Sequence, residues 1–141
     1  MKSTFIHVFL ILLFVSTISG CKKQIDKVKA DAVVDVMVAN KWIVLQYMEG
    51  SSNVTAEFDG YDFQFSRDYT VVGANAATSI SKTGTWSGNA SNQTIAANFV
   101  NATKPLSRLN GTWAIYSYDS NGPKFNQIIN GVEMKLELRK K

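Results

Sequence analysis

The sequence predicts an all-β fold, a small eight-stranded antiparallel up-and-down barrel preceded by a short N-terminal helix or tether. Three observations predict it. From Lys41 onward, apolar and polar residues alternate with a period of two, which gives a strand one buried and one wet face. Clusters rich in Gly, Asn, Ser and Asp interrupt these runs at intervals of roughly 8 to 13 residues. No stretch among them has helical periodicity.

Residues 1–20 come first and differ in kind. Lys2, an apolar block from Phe5 to Val15, and small residues at Ser19 and Gly20 follow the order of a secretory signal peptide. A membrane span competes, but it needs about 20 apolar residues, and this block is shorter. Over residues 24–38, Ile25, Val28, Ala32 and Val36 fall near one helical stripe, which predicts a helix stopped at Asn40. Val33, Val34 and Val38 lie off that stripe, so a short tether helix competes with an additional strand.

The strands then follow in order. "WIVLQYM" starts at Trp42, and "YDFQFS" sets Tyr61, Phe63 and Phe65 against Asp62, Gln64 and Ser66. "YTVVGA" from Tyr69, "SISKTGTW" ending at Trp86, "QTIAANFV" from Gln93, "TWAIYSY" from Thr112 and "KFNQIIN" from Lys124 are less regular. "VEMKLELRK" is the clearest, with Val132, Met134, Leu136 and Leu138 alternating with charged residues. A sandwich would accommodate the same runs, but a barrel removes the unpaired edges that invite aggregation. The last amphipathic run is placed to pair back to the first.

Cys21 is the only cysteine, so no disulfide holds the domain. Ile18, Ser19, Gly20 and Cys21 resemble the bacterial lipobox, with Ile in a position more often Leu. That resemblance implies cleavage before Cys21 and lipid on its sulfur and amino group, a firm membrane anchor when several acyl chains are present. The only histidine, His7, lies in the segment that would be removed. A mature chain without imidazole or free thiol has no serine or cysteine triad of the usual kind. Zinc would have carboxylates alone. No enzyme activity, cofactor or metal is expected.

Without Lys2, the 15 basic residues become 14 against 11 acidic, a balance of +3. Apart from Lys22 and Lys23 beside Cys21, which suit anionic headgroups, and the terminal "RKK", the cations are scattered, and a nucleic-acid partner is not expected. The Asn-x-Ser/Thr triplets at Asn53, Asn89, Asn92, Asn101 and Asn110 fit turns and strand edges better than glycosylation in a bacterial envelope.

"NKW" before the first strand, "GYDFQF", "GTW" at both Gly84–Trp86 and Gly111–Trp113, and a final "LEL" strand with basic residues resemble the lipocalin-like lipoproteins of the Bacteroidota over residues 41–141. The resemblance implies a signal peptide at 1–20, a lipid-anchored tether or short helix at 21–40 and the barrel domain at 41–141. Asn40 stands where lipocalins carry the Gly of Gly-x-Trp, and the C-terminal helix is missing. The resemblance also implies that Arg139 stacks on Trp42. The expected location is the outer membrane, facing the periplasm because "CKKQID" lacks an acidic run, with surface display as the alternative.

Two functions follow. In the first, the barrel binds a small apolar ligand lined by Trp42, Tyr61, Phe63, Phe65, Trp86, Phe99 and Trp113, with Tyr116 and Tyr118 as rim donors. In the second, those aromatics are plain core and the filled barrel meets an envelope partner through its outer face or loops, for which "VVGANAATSISK" is a candidate surface. Cavity volume separates the two, since ligand pockets run from about 300 to 1,000 Å³. A glycosidase carboxylate pair among Asp59, Asp62 and Asp68 is the third and weakest reading, because turn and solvent-face roles explain all three.

Overall fold

Each alternating run pairs with its neighbours in the sequence. The computed structural model describes residues 32–141; Cys21, Lys22, Lys23 and the first part of the expected 24–38 helix lie outside the described residues. A helix, α1, covers residues 32–38 and ends before Asn40. The strands are β1 (Lys41–Glu49), β2 (Ser52–Asn53), β3 (Tyr61–Phe65), β4 (Thr70–Asn75), β5 (Ile80–Asn89), β6 (Thr94–Asn98), β7 (Gly111–Tyr118), β8 (Pro123–Ile129) and β9 (Val132–Lys140). Two 3-10 turns, Thr55–Phe58 and Leu106–Leu109, lie in the β2–β3 and β6–β7 connections.

The sheet order is sequential, and β9 pairs antiparallel with β1 from Trp42↔Lys140 to Glu49↔Met134. The result is a closed eight-stranded antiparallel barrel. The two-residue β2 is an addition, folding back on β1 through Met48↔Asn53. All eight expected runs are strands. "VVGANAATSISK", the candidate surface, is largely the β4–β5 hairpin, with Val71 and Asn75 buried and residues 76–81 exposed.

The barrel has two ends, defined by where α1 enters. The α1 end carries the starts of β1, β4, β6 and β8 and the turns after β3, β5 and β7. α1 turns Val34 and Met37 inward, three residues apart on one face, while Ala32 stays exposed. The expected stripe through Ala32 and Val36 is therefore rotated, because the barrel mouth and not intrinsic helix amphipathicity selects which valines are covered. At the far end the β6–β7 connection, a string of turn residues in sequence, folds inward and buries Leu106 and Leu109. Phe58 of the first 3-10 turn is buried beside it.

Candidate functional site

The seven aromatics proposed as ligand lining are all buried, none more than 8% exposed. The three indole N–H groups among them are already used. Trp42 Nε1 donates to Met37 O of α1 at 2.8 Å, Trp86 Nε1 to Ser66 O of the β3–β4 turn at 3.0 Å, and Trp113 Nε1 to Leu109 O at 2.9 Å. Trp42 and Trp113 thus bind the segments that close the two ends of the barrel and Trp86 binds a turn, and such a partner is the usual fate of a buried Trp N–H. The rings interlock: Phe65 meets Trp86 edge-on at 5.1 Å, and Tyr61 stacks with Phe63 at 6.3 Å.

What remains inside is a void of about 40 Å³, reached by Met37 from the α1 end and Leu109 from the far end. That volume accommodates a few water molecules at most, and its lining is apolar. It is well below the roughly 300 Å³ at which ligand pockets begin. The aromatic set is therefore packed core in this structure, because α1 and the β6–β7 connection fill the two mouths that an open barrel would leave wide.

Arg139 does not stack on Trp42. It lies opposite Ile43 in the β1–β9 ladder, exposed on the outer face, whereas Trp42 points inward. The β7–β8 turn occupies the space at the indole instead: a Cβ on Gly122 would come within 2.7 Å of Trp42 Cζ3. Only a residue without a side chain permits that approach.

The far end is locked by an ion cluster whose members nothing in the local sequence singles out. Arg108, with its side chain only 9% exposed, donates from Nε and Nη2 to the two carboxylate oxygens of Glu57 at 2.9 Å each, and from Nη1 to Glu49. This fork geometry is specific to arginine. The hydrogen bond from Arg108 holds the Glu57 carboxyl below its ordinary range, and Glu57 in turn holds Arg108 more firmly protonated. The Arg108 backbone carbonyl accepts a hydrogen bond from Tyr47 Oη at 2.9 Å. Burial pushes the Tyr47 phenol up to about 12.

Of the three aspartates weighed as a carboxylate pair, two use their carboxylates locally and Asp59 acts through its backbone. The Asp59 carbonyl accepts from Asn75 Nδ2, Asp62 pairs with Lys141, and Asp68 Oδ1 accepts from both the backbone N–H and the hydroxyl of Thr70. The last is an Asx turn.

The α1 end carries the larger concavity. A groove of about 750 Å³ runs between α1, the β5–β6 turn and the end of β7, bordered by Val33, Val36, Asn92, Gln93, Tyr116 and Tyr118. The two tyrosines are thus at a rim, as their positions in the sequence suggest, but it is the rim of a surface groove and not of the barrel interior. Sequence reasoning missed the groove because its walls come from three distant segments.

No family model matches the chain, and no curated protein matches it in sequence. A solved structure does resemble it. The crystal structure of a DUF4847 family protein from Bacteroides vulgatus ATCC 8482 superposes with a TM-score of 0.53 at 15% identity, covering 77% of this chain and 97% of that one. At that identity the likeness shows a shared fold.

Proposed function

We propose that this chain is a bacterial envelope lipoprotein, acylated on Cys21, whose lipocalin-like barrel is a solid body that acts through its surface and not as an interior carrier. The observation that carries the second half is the 40 Å³ void, too small for a ligand, between two closed ends. The first half is supported by the Ile18–Cys21 motif and the apolar block before it. The barrel resembling that of a Bacteroides protein fits the same setting. Lipid on Cys21 would place the protein in the outer membrane, facing the periplasm by the residues that follow. The reading assigns no catalysis: the Asp62 carboxylate pairs with Lys141, and that of Asp68 accepts from Thr70.

Metabolic labelling with an alkyne fatty acid in a Bacteroides host tests the anchor: the wild-type chain should take label and fractionate with the outer membrane, and Cys21→Ser should do neither. Native mass spectrometry of residues 21–141 carrying Cys21→Ser, after incubation with envelope extract, tests the filled interior. No added mass that depends on the interior aromatics is expected. A defined added mass that disappears in a folded Phe63→Ala variant would overturn it.

A further inference from the structure

We infer that the groove at the α1 end is a binding site for a neutral amphiphile, a molecule with an apolar face or tail and a hydroxyl-bearing head. This deepens the reading of the barrel as a surface-acting body and rests on it for the closed interior, but the groove itself stands on its own geometry.

The groove is built by a β-bulge. On β7, Ile115 pairs with Phe125 and Ser117 with Lys124, which leaves Tyr116 as the extra residue opposite no partner. A bulge of this kind bends its strand and re-aims the side chains beyond it. β7 also outruns its other neighbour: the β6 ladder ends at Thr94↔Ala114, and Ile115 N–H donates to Gln93 O at 2.7 Å where the chain turns away. Residues 116–118 therefore stand beyond the rim, across from the Val33 and Val36 face of α1. The groove is open to solvent, and its volume of about 750 Å³ falls within the range of ligand sites, unlike the 40 Å³ inside the barrel.

Its chemistry selects the ligand. Val33, Val36 and Ile115 supply an apolar floor, and Asn92, Gln93 and the two tyrosines supply amide and hydroxyl groups. No charged side chain lines it among the described residues. Among the described residues the nearby acids are paired elsewhere, Asp35 with Arg67 and Asp119 with Lys124. A charged ligand would lose hydration with no counter-charge in return. Tyr116 and Tyr118 are 50% and 52% exposed, each presenting a ring face and a wet hydroxyl. Tyr47 spends its hydroxyl on a backbone carbonyl inside the protein, whereas among the described residues neither groove tyrosine has such a partner. An aromatic body with an exposed polar tip suits a ligand that is apolar on one side and hydroxylated on the other.

The test uses ¹⁵N-labelled residues 21–141 with Cys21→Ser, titrated with octyl glucoside below its micelle-forming concentration and, separately, with octyl sulfate. Saturable shifts at Val33, Val36, 90–93 and 115–118 with the glucoside, and weaker binding of the sulfate, are expected. Tyr116→Ala with Tyr118→Ala should weaken the glucoside about tenfold while the rest of the spectrum is unchanged. The milder pair Tyr116→Phe and Tyr118→Phe, which keeps the rings, should weaken it a few-fold. Tighter binding of the sulfate, or groove shifts unaffected by all four substitutions, would overturn the proposal. So would persistent contacts from residues 22–31 to Tyr116 that the glucoside does not displace, which would make the groove an internal contact. No shifts anywhere overturn the groove alone, whereas shifts confined to Phe63, Phe99 and Leu136 overturn both the groove and the filled barrel.

Discussion

Tyr47 and Arg108 are 61 residues apart and joined at 2.9 Å, the phenol of the first strand donating to the backbone carbonyl of the turn that closes the far end. The same arginine grips Glu57 and Glu49 with its side chain, so one residue fastens the β6–β7 connection to β1 and to the first 3-10 turn. Arg108→Leu should lower stability by about 1–3 kcal/mol, the range for charge-assisted hydrogen bonds whose carboxylates regain water. Urea unfolding of the variant beside the parent checks it, and an unchanged midpoint would refute the clasp.

The Tyr47 phenol makes stability depend on alkaline pH. Its pKa rises from 10.0 to about 12 because burial disfavours the phenolate. The folded state therefore holds the proton more tightly than the unfolded state, and this contribution is complete below pH about 10 and lost as pH rises toward about 12. Thermal midpoints of wild type and Tyr47→Phe should converge across that window. Parallel curves would show that Tyr47 does not titrate there.

Trp42, and not Arg139, is the residue at the α1 end whose loss matters. Trp42→Phe removes the bond to Met37 O and leaves space against Gly122, at a cost of about 1–3 kcal/mol. Arg139→Ala on the outer face should stay within about 0.5 kcal/mol of wild type. Denaturation of both variants under one condition ranks them, and the reverse order would restore the stacked arginine.

The first "GTW" carries a glycine for reasons of space. A Cβ at Gly84 would come within 2.6 Å of Asn98 O and 2.9 Å of Phe99 Cδ1. Backbone cannot yield as a flexible side chain can, so Gly84→Ala should cost about 1–3 kcal/mol. Calorimetry gives the number, and a neutral substitution would mean that β5 and β6 can part without penalty.

Gln127 is a buried polar side chain. Its Nε2 has no hydrogen-bond partner, alone in this respect among the described residues. Removing an unsatisfied donor while keeping the shape is close to neutral or favourable, so Gln127→Met should leave the thermal midpoint unchanged or raised. A loss above about 1 kcal/mol would indicate an ordered water bound to that amide.

Eight strands were legible because alternation is a local property: "YDFQF" and "VEMKLELRK" announce their inward faces without reference to any other part of the chain. The far plug was not. In "NATKPLSRLNG" the turn formers dominate, and the one signal of burial, Leu106 and Leu109 at i and i+3, is too brief to stand against them. Arg108 between those leucines looks like a solvated cation until Glu49 and Glu57 are brought to it from β1 and the first 3-10 turn.

By itself the sequence determined the strand ladder, its closure by the last strand on the first, and the aromatic identity of the core, since period and turn chemistry act over a few residues. Only the tertiary structure decided that the interior is full and that the open space lies outside it. Volume is a property of all the strands and both plugs together: Met37 and Leu109 reach the same 40 Å³ void from opposite ends, and Tyr116 meets Val33 and Val36 only because a bulge carries β7 past the rim.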